Sequence, residues 1–520
     1  MDHRSIAIAG ALVVALAAAP YAPAQTFIKS RVVDGNGVGV GSVDIDGFDD
    51  NGDALDLSND GTLGDGTFLT GINDGPGTYD FVFNPPQGSP LLPEWRNDVV
   101  CIGTIDLGTI TLQDGNLVSG RVVDANGQPL SPVRIHAIDE ATNQEFFVRW
   151  NETDSLGNFL FALPDGTFTL EFDPSSLAGP LTAPGQLFGV VVNGATDVGD
   201  VALPPGFVLS ATCHRPNGTG LANVNLDVLD SASHVKLFTP GDNSDSAGFV
   251  DVVVPSGTFD VRFKPSLADK LVGIEVVGVG VGAATDLGTK TFQAGFYVSG
   301  TVTDTLGAFV SDTDIDIHDS ATGVKIYTPG DNTDGNGFYK IVVPSGTWDV
   351  EFTPPYTMWL RSKVFTSVGI SADMVQNATL DPCPVPSHYG NGTAGSGGFV
   401  PTLESVGDPP RLGAPDFELQ IANGLGGSHA MFVLSTGSAS IPLHGFTLYV
   451  DPAAPGFIIF VLPLGGTPGL ARAGSITFGG SIPYDLGLDG LHLYMQVVTL
   501  DPGGAFGRAA TDGLDVPLTR

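Results

Sequence analysis

A block of about 90 residues recurs four times between residues 27 and 381, and that period limits the fold more than any other feature of the sequence. Val118-Ser119-Gly120-Arg121-Val122-Val123-Asp124-Ala125-Asn126-Gly127 returns two periods later as Val298-Ser299-Gly300-Thr301-Val302-Thr303-Asp304-Thr305-Leu306-Gly307, and weaker copies begin at Ile28 and Leu209. A second block matches more closely: Val254-Pro255-Ser256-Gly257-Thr258-Phe259-Asp260-Val261 against Val343-Pro344-Ser345-Gly346-Thr347-Trp348-Asp349-Val350. Gly166-Thr167-Phe168 and Gly77-Thr78-Tyr79 fill the same slot in the other copies, so Trp348 belongs to the core. The copies close on Asp106-Leu107-Gly108, Asp197-Val198-Gly199, Asp286-Leu287-Gly288 and Asp373-Met374-Val375. Ninety residues are too many for a solenoid unit and suit a complete small β-domain.

Within a copy the hydrophobic period is two. Val224-Asn225-Leu226-Asp227-Val228 and Thr313-Asp314-Ile315-Asp316-Ile317 alternate apolar with polar, as half-buried strands do. Turn residues break such runs every 8–12 positions and no window carries a helical stripe. Gly278-Val279-Gly280-Val281-Gly282 reads as a strand with a bulge. The expectation is an all-β chain: a tandem array of four seven-stranded-type β-sandwich domains, then a distinct β-rich C-terminal domain. The boundaries read as repeats at 25–113, 114–204, 205–294 and 295–381, a turn-rich linker at 382–398, and a C-terminal domain at 399–520. Repeat 1 carries an acidic insertion.

The run V-x-G-x-V-x-D-x-x-G, then D-x-x-G-x-F, then P-x-G-x-[YFW]-x-V-x-F resembles the carboxypeptidase regulatory-like domain. The likeness covers roughly residues 27–381, about two-thirds of the chain. It implies a prealbumin-like or starch-binding-like β-sandwich and a non-catalytic accessory role in secreted and surface proteins. From Ser387-His388-Tyr389-Gly390 onward the sequence is similar to the β-rich module that closes many exported multidomain bacterial proteins.

Residues 1–24 read as a cleavable signal peptide. Arg4 precedes an apolar run from Ile6 to Ala19, and Ala22-Pro23-Ala24 supplies small residues for cleavage. The expected location is secreted or cell-surface, with no transmembrane segment after cleavage. Cys101, Cys213 and Cys383 are three small buried hydrophobes or one bridge plus a free thiol.

The 57 acidic and 21 basic residues leave a net charge of −36. A field of that sign excludes nucleic-acid partners and anionic lipid surfaces, and makes divalent cations the natural counter-charge. Asp44, Asp46, Asp49, Asn51 and Asp53 crowd oxygen donors around glycine turns, and Asp331, Asn332, Asp334 and Asn336 do so again. Ca²⁺ takes six to eight such oxygens; Asx side chains that cap their own turns give the same composition. No cofactor is required. H-E-x-x-H, zinc-carboxypeptidase, G-x-S-x-G and P-loop signatures are missing, so the chain reads as a non-enzyme. His388, Asp451 and His492 are the residues to inspect should the C-terminal domain be catalytic. Tyr356 and Trp359 are the aromatics placed to stack on sugar rings. The favoured role is an extracellular scaffold or adhesive stalk, an elongated monomer whose partner is an extracellular protein or polysaccharide; the alternative is a carbohydrate-binding accessory protein.

Overall fold

The computed structural model describes residues 26–175, 177 and 181–520; the expected signal peptide lies outside them. The chain is built of strands, with four single-turn 3₁₀ segments among the described residues, and no helix there is long and apolar enough to cross a membrane. It divides into two compact units, one comprising 26–212, 226–262 and 276–289, the other 213–225, 263–275 and 290–520.

In the first unit, repeat 1 consists of β1 (Thr26–Val33), β2 (Asp44–Phe48), β3 (Leu57–Ser58), β4 (Thr67–Ile72), β5 (Gly77–Asn84), β6 (Glu94–Cys101) and β7 (Thr104–Thr111). They form two sheets, ordered β3-β4-β1-β7 and β2-β5-β6. Repeat 2 follows with β8 (Asn116–Asp124), β9 (Arg134–Asp139), β10 (Gln144–Phe146), β11 (Asn158–Leu163), β12 (Gly166–Asp173), β13 (Gly185–Val192) and β14 (Thr196–Leu203), in sheets β11-β8-β14 and β10-β9-β12-β13. The last strand of each repeat returns to lie parallel to the first, β7 on β1 and β14 on β8, so the 90-residue block closes on itself. Repeat 3 has six strands in two sheets of three. Repeat 4, in the second unit, has a seven-strand pattern whose closing strand is split into Met374–Val375 and Ala378–Leu380.

Alternation places one side of each strand in the core. Ile28, Val32, Ile45, Phe68, Phe81 and Phe83 fill repeat 1; Val298, Ile315, Ile317, Ile341, Val350 and Phe352 fill repeat 4. The P-x-G-x-aromatic signature has a steric cause. Tyr79, Phe168, Phe259 and Trp348 are all buried, and each ring lies over the glycine two residues before it. A Cβ on Gly77, Gly166, Gly257 or Gly346 would come within 2.5–3.1 Å of that ring. Trp348 also donates from Nε1 to the Pro344 carbonyl at 3.0 Å.

Much of the acidity is spent on turns and bulges. Asp34, Asp124 and Asp304 each accept, on Oδ1, the amides two and four residues ahead. Asp154, Asp245 and Asp334 repeat this in the D-x-x-G-x-F turn. The closing Asp-x-Gly motif is a bulge in the parallel strand: Gly108, Gly199 and Gly288 donate to Asp106, Asp197 and Asp286. A second bulge, at Asp98, Gly278 and Ser367, has φ of 55–68° and donates its amide to Asp80, Asp260 and Asp349. The bulge expected at Gly278 is one of these.

In the second unit the C-terminal domain is a further sandwich. Ser387–Tyr389, Gly513–Pro517, His492–Leu500, His429–Ser435 and Ile458–Pro463, with Arg508–Ala510 beside His492–Leu500, form one sheet; Thr402–Gly407, Phe417–Asn423 and Arg472–Gly480 form a second, and Ser438–Leu443 pairs with Phe446–Val450 as a separate hairpin. Residues 382–398 are therefore not a free linker. Ser387–Tyr389 is an edge strand on Gly513–Pro517, and Thr393 bridges Ala510, because alternate residues there meet an unfilled sheet edge. Cys101, Cys213 and Cys383 are free and buried, and burial pushes their thiols to about 11.

Two outcomes follow from this chemistry. Gly257→Ala drives a methyl into the Phe259 ring and is expected to cost about 1–3 kcal/mol, read as a lowered denaturant midpoint. Backbone amides hold Asp49, Asp124, Asp154 and Asp260 below the usual carboxylate range. Their contribution is complete above the unfolded carboxylate pKa and is lost as pH falls through the depressed folded values. Melting temperature is expected to drop progressively below about pH 4, in scans at fixed ionic strength.

Candidate functional site

Superposing the four repeats on their own hydrogen bonds exposes one recurring position. Ile45, Ile135, Leu226 and Ile315 each donate their amide across to the carbonyl of Asp60, Asn151, Asp242 and Asp331, at 2.7–3.1 Å. The residues flanking the donor point away from the sandwich core, and Asp227 among them is itself covered. They are Asp44 and Asp46, Arg134 and His136, Asn225 and Asp227, and Asp314 and Asp316. One further strand position supplies Lys236 in repeat 3 and Lys325 in repeat 4, but Glu145 in repeat 2 and Ala54 in repeat 1.

Repeat 4 gives the tightest arrangement. Among the described residues, Asp314, Asp316 and Asp331 are the one group of acidic, His or Cys side chains whose ligand atoms all lie within 4.8 Å of one another. Burial, then the charges of Asp316 and Asp331, push Asp314 up to about 6. Burial raises Asp331 as well, although it accepts a 2.9 Å bond from Thr328 Oγ1. Lys325 is paired with Asp316. Burial alone would lower the lysine, but the hydrogen bond it donates to Asp316 and the surrounding charges raise it. The ammonium thus brings the cluster the positive charge that a cation would supply. All the donors are hard oxygens, the set that suits Ca²⁺ or Mg²⁺.

The remaining expected metal residues separate from this group. Asn332 donates to Asp312 at 2.8 Å, and Asp334 caps the turn that contains Asn336. In repeat 1 the acidic insertion is two features. Asp49 accepts the amides of Asn51 and Asp53 at 2.9 Å and so closes its own hairpin turn. Asp44 and Asp46 lie on β2 and share Arg149 from repeat 2, at 3.0 Å to Asp44 and 3.1 Å to Asp46. Burial raises Asp46, with Arg149 acting against it. Asp314, Asp316, Lys325 and Arg149 escape a linear reading because strand alternation alone explains the acids as a wet face. Aligning the four copies column by column is the signal that picks them out.

The two sugar-stacking candidates are not a joint platform. Tyr356 lies under the Arg411 guanidinium, 4.4 Å from its ring centre. Arg411 is 1% exposed and donates to the carbonyls of Leu360 and Pro354, so that face of Tyr356 is taken. Trp359 is exposed, and its carbonyl accepts the Cys383 amide. His388 sits between Asp512 and Glu404, His492 pairs with Asp515 at 2.8 Å, and Asp451 caps its own turn at Ala453, so these three make separate local contacts.

The acid cluster gives a test with two arms. Because Asp314 is raised, its contribution is complete below the ordinary carboxylate range and is lost as pH rises through about 6. Asp314→Asn is expected to stabilise the chain at pH 7 by on the order of 1–2 kcal/mol after solvent screening, with no gain at pH 4. Lys325→Met leaves three carboxylates facing one another; its melting temperature is expected to fall, and millimolar CaCl₂ to recover more of it than an equal ionic strength of NaCl.

No family model matches this chain, and no curated protein matches it. Among solved structures it is similar to the Bacillus anthracis TIE protein (11% identity, 69% of each chain, TM-score 0.16). It is also similar to BcpA, the major pilin subunit of Bacillus cereus (10%, 69% of this chain and 99% of that one, TM-score 0.15). A tetra-tandem repeat from the extending region of a large adhesion protein matches at 14% over 78% and 99%, TM-score 0.15. Identities and scores of this size carry no argument about function.

Proposed function

We propose that this protein is a non-catalytic scaffold or adhesive stalk of the exported, cell-surface kind. The observation that supports it is a joint with a repeated design. Each of repeats 2, 3 and 4 presents an aromatic at one equivalent position, Phe147, Phe238 and Tyr327. Phe147 meets Trp95 of β6 edge-on at 5.4 Å, the Phe238 amide donates to Gln186 of β13 at 3.1 Å, and Tyr327 lies against Gly273. At the first joint Arg149 ties β2 to repeat 2, and Trp150 Nε1 donates to the Pro85 carbonyl at 3.0 Å. Repeats 1, 2 and 4 each keep a core of their own, which supports an array of separate domains.

A chain of this length packed as one globule has a radius of gyration of about 23 Å. Small-angle scattering on residues 26–520 is expected to give a value at least half as large again, from a monomer. A value near the compact figure overturns the stalk. Fractionation of cells making the intact chain is expected to place it at the surface or in the medium.

A further inference from the structure

Repeat 2 is where the four-fold pattern is rewritten. The outward positions that are acidic or amide elsewhere are Arg134 and His136, Asn151 stands in place of the third acid, and the lysine position holds Glu145. The exchange coincides with an open groove of about 480 Å³ that these residues line, together with Phe147 and Trp150. Each basic side chain in it has an acidic partner: Arg134 with Glu152 at 3.1 Å, His136 with Glu145 at 2.7 Å, and Arg149 with Asp44 and Asp46. In a chain of net charge −36, the lining of this groove sets Arg134 and Arg149 against Glu145 and Glu152, two charges of each sign.

We propose that this groove binds a neutral oligosaccharide. Its chemistry is a set of adjacent donors and acceptors, guanidinium beside carboxylate and imidazole beside carboxylate, which match the vicinal hydroxyls of a sugar. Phe147 and Trp150 are each more than one-third exposed; the Arg149 guanidinium lies over the Trp150 ring, 5.3 Å from its centre, so Phe147 is the ring that offers apolar surface to a sugar's C–H face. The lining is held before any ligand arrives: Arg149 by two carboxylates, the indole of Trp150 by the Pro85 carbonyl, and Phe147 by Trp95. Phosphate and polyanions find no unpaired cation here. The proposal rests on the groove alone and stands whether or not the chain is an extended stalk.

Affinity electrophoresis of residues 25–520, the chain left by the expected signal-peptide cleavage, in gels containing amylopectin, glucomannan, xyloglucan or mixed-linkage β-glucan tests it, with alginate as the polyanion and a polymer-free gel as reference. The expected result is retardation by at least one neutral polymer. Phe147→Ala and Glu145→Gln, with melting temperatures near the parent's, are expected to weaken that retention at least tenfold, and Trp359→Ala to leave it unchanged. Absence of retardation on all four neutral polymers, retention by alginate alone, or retention indifferent to both groove variants overturns the proposal.

Discussion

A carboxylate accepting backbone amides is the interaction on which this architecture depends. A sandwich of short strands must turn every few residues, and each turn leaves amides pointing away from any sheet partner. The chain meets them with aspartate: Asp34, Asp124 and Asp304 after the first strand, Asp154, Asp245 and Asp334 before the hairpin. The same device holds the bulges at Gly108, Gly199 and Gly288. A net charge of −36 is thus partly the arithmetic of turn chemistry repeated along four domains. It also explains how so acidic a chain stays folded, since these carboxylates stand at separate turns where amides, not other acids, face them.

Against that uniform frame, the variable positions stand out. At the strand after the first turn, the outward side chains are free of core packing and can change from copy to copy. Repeat 4 uses them for two acids that, with Asp331, surround Lys325, repeat 1 for two acids that receive Arg149, and repeat 2 for the inverted set with Glu145. One backbone position thereby serves as an internal ion pair, an inter-repeat tie and a groove wall. The Arg149 tie is half-exposed, and pairs of that kind contribute modestly on their own. Its weight at the joint comes from acting beside the Trp150 hydrogen bond and the Trp95–Phe147 contact.

The fold was readable because its determinants are local. Period-two alternation, Gly-x-aromatic steric fit and Asp-x-Gly bulges are each decided within about ten residues, and the copies confirm one another. The bulge at Gly278 and the core place of Trp348 follow from such signals. The site was less legible because its members lie far apart in sequence. Asp46 and Arg149 are brought together across two domains, and Asp331 joins Asp314 through a loop whose length no motif announces. Asp49 and Asp334 were visible as oxygen-rich clusters for the reason that makes them poor evidence of a metal, since Asx turns need that composition. Tyr356 reads as a loop aromatic until Arg411, 55 positions on, is found over its ring.

That arginine shows how the array ends differently from how it repeats. Glu351 stands on the core hairpin of repeat 4, with its side chain 5% exposed. A carboxylate so buried needs a partner of fixed geometry. Arg520 provides it in two parallel bonds, Nε to Oε1 at 3.0 Å and Nη2 to Oε2 at 2.8 Å, and the Tyr484 hydroxyl adds a third at 3.2 Å. Arg411 makes the reciprocal insertion: a guanidinium of the C-terminal domain reaching repeat 4 carbonyls and the Tyr356 ring. A lysine in either place could not reproduce the forked contact. Removing Arg411, the buried guanidinium, leaves the Leu360 and Pro354 carbonyls unpaired, and removing the partly exposed Arg520 leaves the buried Glu351 carboxylate without its forked partner.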